Sequence, residues 1–508
     1  VSEVGFRQAL NLLVERHEIL RTSYEEYQGE LVQIVNPKSN IIINYSDIST
    51  LSDDEQEVVL SKQSAFEATQ VFDLTQGPVL RGSLFRLRGD AGFFVGAVHH
   101  IAFDAWSTDI FNRELIHLYN FVVSKGADLE LAPLAIQYVD YAAWQQGLLN
   151  SDQSTRELSY WRDRLAGLPR VHDLPLDFAR PAQQTFNGKD HVVSVDAAVG
   201  DALMQLATSR RVTLFMLMQA VLSVLLSRYS GADDIVLGTP IAGRNHHQLE
   251  GLIGLFVNTL VLRNDTSGNP TFVQYLERVR QTSLDAFKHQ DVPFDLLVEK
   301  FAGERDLAYN PLFQIMFSTR RDDELDINAL SGLDPGQEAC GGIAKFDLSV
   351  DVTEAKNGLV VNFNYNTDLF YAETIRQLAA SFVLLLEQIA GNAELGIRQY
   401  RLQNQEQEQF LIQAGRGSRL NYDATLCMHE LFEATVEYRP DKQAITYNDD
   451  SLTYRELNEQ ANRLARYLVH QGVEPDSLVG IFLPRGIGTV IAILAVLKAG
   501  GAYVRVDS

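Results

Sequence analysis

The chain has 508 residues, of which 46% are hydrophobic and 21% charged, the composition of an ordinary globular protein rather than a disordered one. At roughly 100 to 200 residues per domain, its length calls for about two to four domains. Its 43 Lys and Arg against 66 Asp and Glu leave a formal net charge of −23, an acidic field that repels phosphate backbones and argues against a nucleic acid partner.

The chain begins Val1-Ser2-Glu3, without Met or a signal peptide. Phe6, Leu10 and Leu13 already carry the i, i+4, i+7 spacing of an amphipathic helix, so the sequence is expected to open inside a domain. Strand-like apolar runs at 93–98 and 235–238 alternate with helical patterns at 213–228 and 372–389, which reads as mixed α/β. Between them, the prolines at 169, 175 and 181 mark a helix-breaking crossover that joins two lobes. The most apolar helical stretch, 214–226, contains Gln219 and Ser223 and is shorter than the ~20 residues that span a bilayer, so no membrane helix is expected. The polar, glutamine-rich stretch from 392 to 425 has the composition of an interdomain linker, with a new unit starting near Leu426. Cys340 and Cys427 lie far apart and outside any CxxC pattern, so neither a zinc site nor a disulfide framework is indicated, and a reducing cytoplasmic setting fits best.

The run Phe93-Phe94-Val95-Gly96-Ala97-Val98 leads into His99-His100-Ile101-Ala102-Phe103-Asp104-Ala105-Trp106-Ser107. Because side chains alternate along a strand, only one of the two histidines can face a given cleft. A metal site would need a third ligand that the local sequence does not supply. A second pair, His246 and His247, has no Asp four residues later and polar neighbours, and reads as a surface loop.

His-His-x-x-x-Asp followed by a small residue and Trp-Ser resembles the active-site motif of condensation domains in nonribosomal peptide synthetases, although that motif ends in Gly where this chain has Ala105. Five further segments match the same family in order. They are Arg16-His17-Glu18-Ile19-Leu20-Arg21-Thr22, Tyr138-Val139-Asp140-Tyr141-Ala142-Ala143-Trp144-Gln145, Ile253-Gly254-Leu255-Phe256-Val257-Asn258-Thr259, His289-Gln290-Asp291-Val292-Pro293-Phe294-Asp295, and Arg305-Asp306 leading to Asn310-Pro311-Leu312-Phe313-Gln314. The resemblance covers residues 1 to about 400. Beyond it, Leu452-Thr453-Tyr454-Arg455-Glu456-Leu457 and Leu497-Lys498-Ala499-Gly500-Gly501-Ala502-Tyr503-Val504 resemble the opening of an adenylation domain. The phosphate loop of such domains would lie past Ser508, so adenylation activity is not expected in this sequence, and the upstream family motif is also missing.

The resemblance implies an α/β fold of two chloramphenicol-acetyltransferase-like lobes forming a V, followed by a partial α/β adenylation-domain N-terminus. The expected division is an N-lobe at 1–166, a C-lobe at 167–391, the linker at 392–425 and the adenylation segment at 426–508. The implied activity is acyl transfer that forms a peptide bond between a donor aminoacyl or peptidyl thioester and an acceptor aminoacyl group. Both substrates would be held on phosphopantetheine of partner carrier domains, upstream and downstream, in secondary metabolite or antibiotic biosynthesis. The remainder of the adenylation domain is a further expected partner, and no cofactor or metal is expected on this chain. The stretches 99–111 and 174–188 look closer to domains that accept a D-configured donor. The alternatives are a stand-alone coenzyme-A-dependent acyltransferase or a catalytically silent carrier-docking scaffold.

The active-site candidates are His99, His100, Asp104 and Ala105. An α-amine with a pKa near ~8 is about a tenth neutral at pH 7 and attacks a positioned thioester without a strong base. His100 would orient the amine and take its proton, while His99 would pack behind it. Asp104 either orients His100 or is a buried carboxylate paired with an arginine; the resemblance favours the pair, with Arg16 and Arg21 as candidates. Asn258 either lines the tunnel or caps a turn. Trp106 is carried as a tunnel-lining candidate, although Trp106 and Trp144 both read more readily as core. Ala105 sits where the chain turns into a helix expected near Ser107, so its methyl group either strains a positive φ or narrows the tunnel.

Overall fold

The computed structural model of the protein describes residues 2–38, 41–124, 131–303, 306–321, 342–355, 358–417 and 425–506. Arg305, Cys340 and residues 418–424 of the expected linker lie outside them. The chain divides into two compact units, 1–408 and 409–508.

The first half of the larger unit runs α1 (Glu3–Arg16), β1 (Thr22–Tyr27), β2 (Glu30–Val35), β3 (Ile43–Asp47), α2 (Asp53–Thr69), β4 (Leu80–Arg86), β5 (Gly92–Val98), α3 (Ala105–Ser124), α4 (Tyr138–Leu149) and α5 (Asp152–Leu165). Strands β3, β4 and β5 form a three-stranded sheet, with β3 parallel and β5 antiparallel to β4. Phe6, Leu10 and Leu13 of α1 bury their stripe together with Leu80, Leu84, Ile110 and Phe111. A Ser52–Glu55 capping box starts α2, satisfying backbone donors that the first turn leaves free.

The second half runs β6 (Gly188–Val195), α6 (Ala197–Arg210), α7 (Leu214–Ser230), β7 (Asp234–Ile241), β8 (Asn258–Asp265), α8 (Phe272–Lys288), α9 (Phe294–Phe301), β9 (Ile315–Arg321), β10 (Leu348–Ala355), β11 (Gly358–Asn366) and α10 (Ala372–Gly391), and the division between the units falls within α11 (Gln405–Ala414). Its six strands form one mixed sheet in the order β6-β11-β10-β9-β7-β8. Thr213 caps the start of α7 and Gly231, at φ 75, ends it. Every residue from Met216 to Leu226 is buried, so α7 is the central helix of the largest core rather than a span. Its one buried amide, Gln219, is satisfied by Asn264 and Ser283. Among the described residues no single helix is long and apolar enough to cross a membrane.

The stretch from 392 does not behave as a linker over its first part. Ile397 and Tyr400 are buried in the second-half core. Arg228 also donates to the carbonyls of Ile397, Arg398 and Tyr400. Polar composition misled here because two apolar anchors and a bonded backbone are enough to hold a short segment in place.

The smaller unit contains α12 (Met428–Tyr438), β12 (Gln443–Tyr447), β13 (Asp450–Thr453), α13 (Tyr454–His470), β14 (Leu478–Ile481), α14 (Ile487–Lys498) and β15 (Ala502–Arg505). Strands β12 and β13 form an antiparallel pair, and β14 and β15 a parallel one. Helix α14 buries Ala492, Leu494, Ala495 and Val496 against α13, while Leu478, Phe482 and Val504 of the parallel pair and its flank stay exposed.

The crossover between α5 and β6 is pinned to the sheet by Asp347, whose side chain is 1% exposed. His172 Nε2 lies 3.0 Å from one carboxylate oxygen, and Arg180 donates to both, at 3.0 and 2.5 Å. Burial pushes the Asp347 carboxyl up, and the hydrogen bonds and charges of His172 and Arg180 outweigh that, leaving it below the usual carboxylate range. Asp347→Asn is expected to cost about 3 kcal/mol at neutral pH, read as a lower urea midpoint, because Arg180 loses its buried counter-charge. The native carboxyl titrates below its unfolded value of about 3.9, so this stability is fully present above that pH and disappears as the pH falls through the native pKa. A gap between wild type and variant that stays constant into acid would show that charge is not its source.

Candidate active site

Strand β5 ends at Val98, and a 3₁₀ turn at His100–Ala102 follows, with His99 as its N-cap. His99 is half-buried. Its Nδ1 accepts from the Ile101 N–H at 3.1 Å, and its ring meets Phe72 edge-on at 5.8 Å between centroids. His100 is exposed, and its Nδ1 lies 2.5 Å from the Phe103 carbonyl oxygen. A carbonyl can only accept, so Nδ1 carries a proton, and in the neutral ring the lone pair is on Nε2. The two neighbouring rings thus use Nδ1 in opposite senses: His99 accepts a backbone N–H with it, and His100 donates from it to a backbone carbonyl.

Asp104 is buried, but its partner is neither Arg16 nor Arg21. Arg244 Nη2 lies 3.0 and 3.2 Å from its two oxygens, with the paired side chains 2% and 3% exposed. Arg16 instead bonds Glu114 at 3.0 Å, and Arg21 bonds Glu18 at 3.0 Å and the Asn36 carbonyl. Each of those arginines finds an acceptor beside its own element, whereas Arg244 comes from the far end of β7. Gly243, at φ +64, makes that delivery possible, since a Cβ there would lie 1.9 Å from the Phe256 carbonyl oxygen.

The Asp104 carboxylate gathers donors from both halves. It accepts from the Ser107 N–H at 2.9 Å, the Ser107 hydroxyl at 2.7 Å and the Phe256 N–H at 3.0 Å, besides Arg244. Ser107 Oγ also receives the Gly254 N–H at 3.1 Å. Arg244 Nη1 donates to the carbonyls of Leu249 and Leu252, and its guanidinium lies 4.1 Å from the Phe256 ring centroid. Burial draws the Arg244 guanidinium below its ordinary value and Asp104 opposes that shift.

A second joint lies nearby. Buried His17 puts Nε2 2.7 Å from Glu114, while its Nδ1 accepts the Ile253 N–H at 3.4 Å. Burial pushes the Glu114 carboxyl up, and His17 with Arg16 pull it back below the usual carboxylate range.

The remaining candidates fall into place around this core. Asn258 spends its side-chain amide on backbone groups: Nδ2 donates to the carbonyls of Gln290 and Val292, and Oδ1 accepts from the N–H groups of Thr259 in β8 and Phe294 at the start of α9. It is a loop staple in this structure. Trp106 and Trp144 are not core; they are 46% and 53% exposed, with Trp106 donating to the Glu250 carbonyl at 3.1 Å. Ala105 is the first residue of α3, which starts two residues earlier than expected, and it is exposed. Its φ is not positive, so the backbone-strain reading of the Gly-to-Ala departure is excluded. His246 and His247 are exposed, as expected, at the start of a 3₁₀ turn over His247–Leu249. Among the described residues no group of three His, Cys, Asp or Glu side chains is placed to hold a metal ion. Sequence reasoning missed Arg244, Ser107 and Phe72; the Gly-Arg step directly after a strand was the one visible signal for the first.

Residues 2–412 match the family model for the condensation domain, and residues 432–508 match that for AMP-binding enzymes. A linear gramicidin synthase of Brevibacillus parabrevis is 39% identical over 99% of this chain and 10% of its own length. Gramicidin S synthase 2 of Aneurinibacillus migulanus is 40% identical over 99% of this chain and 11% of its own length. The chain thus spans about a tenth of the length of these curated relatives. Among solved structures, a four-domain nonribosomal peptide synthetase bound to AMP and glycine matches with a TM-score of 0.76 at 26% identity, covering 100% of this chain and 39% of that one.

Arg244→Met is expected to cost about 3–5 kcal/mol, since it leaves a buried carboxylate without its counter-charge. The double variant Asp104→Leu with Arg244→Met should recover a substantial part of that loss. Chemical denaturation of both single variants and the double closes the cycle; strictly additive losses would mean that the two groups do not act as a pair.

Proposed function

The chain belongs to the condensation domain family, and from that membership we propose that it forms an amide bond between two carrier-held substrates, an aminoacyl or peptidyl thioester donor and an aminoacyl acceptor. The observation that carries the reading is His100, with Nδ1–H held on the Phe103 carbonyl and Nε2 left as an accessible acceptor. The acceptor amine attacks the thioester carbon, its proton passes to His100 Nε2, and collapse of the tetrahedral intermediate breaks the carbon–sulfur bond. The proton then leaves with the thiol. No oxidant or metal enters this balance.

Asp104 in this reading touches no substrate. Its oxygens are taken up by Arg244, Ser107 and Phe256, so it holds the turn after β5 against the second half. The thioesters arrive on phosphopantetheine arms of separate carrier domains, and the unit that matches AMP-binding enzymes belongs to the same assembly line. The stretches 99–111 and 174–188 favour a D-configured donor.

The test is to mix the protein with donor- and acceptor-loaded carrier proteins and look for a dipeptidyl thioester on the acceptor by mass spectrometry. His100→Ala should lower its formation at least about tenfold, the low end for a lost general base, with a nearly unchanged melting temperature because the ring is exposed. Product from acyl-coenzyme A in place of the donor carrier would favour the stand-alone acyltransferase, and no transfer from any donor would favour a docking scaffold. Donors of both configurations in the same assay decide the stereochemical reading.

Ala105→Gly relieves no strain at the start of α3, so its stability should fall by at most about 1 kcal/mol, the ordinary penalty of glycine in a helix. A faster turnover in that variant would show that the Ala105 methyl group crowds the acceptor. An unchanged rate would assign the departure no catalytic meaning.

A further inference from the structure

His99 is held from behind by a chain of contacts that the reaction itself does not require. Arg81, on β4, is the cross-strand partner of Ala97, two residues before His99. Its guanidinium carbon lies 3.8 Å from the Phe72 ring centroid, and Phe72 meets the His99 ring edge-on at 84°. Glu67 fixes Arg81 from the other side, with Oε2 3.1 Å from Nε, while the carbonyls of Glu67 and Gln70 accept from Nη2 at 2.9 and 2.6 Å. Gln63 and Ser83 donate to the remaining Glu67 oxygen at 2.9 and 3.1 Å. Glu67 is 4% exposed. Buried ion pairs often stabilise no more than an apolar filling of similar volume. A planar guanidinium laid on an aromatic ring does something that an aliphatic side chain cannot: it fixes the plane of that ring.

We infer that Glu67, Arg81 and Phe72 form a bracket that positions His99 and, through it, the tautomer and orientation of His100. The coupling runs through the turn. His99 Nδ1 can accept from the Ile101 N–H only while the His99 ring stays in its observed plane with the proton on Nε2. The Ala102 N–H closes on the His99 carbonyl at 3.0 Å, and the Phe103 N–H on the His100 carbonyl at 3.3 Å. Phe103 then presents the carbonyl that holds His100 Nδ1–H. If Phe72 loses its plane, His99 can rotate, the Ile101 N–H loses its acceptor, and the Phe103 carbonyl no longer fixes the His100 lone pair. Phe72, Arg81 and Glu67 are positioning residues; none of them touches the reacting atoms.

The kinetic part of this inference rests on the condensation reading, whereas the tautomer part does not. The experiment is long-range ¹H–¹⁵N correlation on histidine-labelled protein, assigned with His99→Gln and His100→Gln, combined with the carrier-loaded assay. Wild type should show His99 protonated on Nε2 and His100 on Nδ1. Phe72→Leu and Arg81→Met should average the His99 signals between tautomers and lower kcat about tenfold, the effect of a sub-ångström misplacement, with KM for both loaded carriers unchanged. Arg81→Lys, which keeps a cation over the ring, should restore part of both signals. If Arg81→Met does not fold, Phe72→Leu carries the test. An unchanged His99 tautomer in the folded variants, or a rate that falls only through KM, overturns the bracket. A wild-type protein that makes no amide but shows the predicted tautomers and their loss would leave the bracket standing and sink the condensation reading.

Discussion

The site depends on one buried carboxylate. Asp104 stands four residues after His100 in the first half of the unit, and the groups that neutralise it, Arg244 and the Phe256 N–H, come from the second half. With both side chains nearly dry, removing either leaves the other's charge buried without its counter-charge. Such a pair adds less net stability than its charges suggest, because desolvation offsets most of the attraction. What it supplies is register: the four donors converge on the carboxylate only when the turn after β5 and the loop 243–256 lie in one arrangement.

The same device recurs wherever segments distant in sequence must be held together. Glu114 joins α3 to His17, and His17 in turn receives the Ile253 N–H from the second half. Asp347 holds His172 and Arg180 of the crossover against the start of β10. Asn258 ties the start of β8 to the loop at 290–294. Apolar packing builds the halves, and a few buried polar groups specify how their ends meet.

This division of labour decides what is legible in the sequence. Period and caps are local, so α1, α7, α10 and β5 can be read from spacing, and the His-His-x-x-x-Asp turn can be placed at the end of a strand. Partners across a fold leave no such mark. Arg16 and Arg21 attract attention because they sit in a family-like motif, yet the residue that meets Asp104 is 140 positions away from it. Tryptophan is mostly buried on average, which makes Trp106 and Trp144 read as core. In the structure Trp161 fills that role at 0% exposure, while Trp106 lies on the surface beside Arg244. At 392–404 the bulk polarity hides Ile397 and Tyr400, whose burial closes the core under α10. Composition averages over a window, and two anchors are lost in such an average.

An amine that attacks a thioester needs little help beyond placement, because the nucleophile is already partly neutral near pH 7 and the carbonyl is activated by sulfur. A site for that chemistry gains more from fixing a lone pair in space than from making it strongly basic. The structure follows that logic. Two of its buried carboxylates are spent on the Asp104 to Arg244 pair and on the Glu67 to Arg81 pair, while the His100 ring donates to a backbone carbonyl. In the proposed reaction, a carboxylate hydrogen-bonded directly to His100 would raise its basicity but would also hold the proton after the amide has formed, when it must pass to the departing thiol. A backbone carbonyl sets the tautomer without that charge, which suits the proposed role of His100, in which the ring must both take the proton and release it.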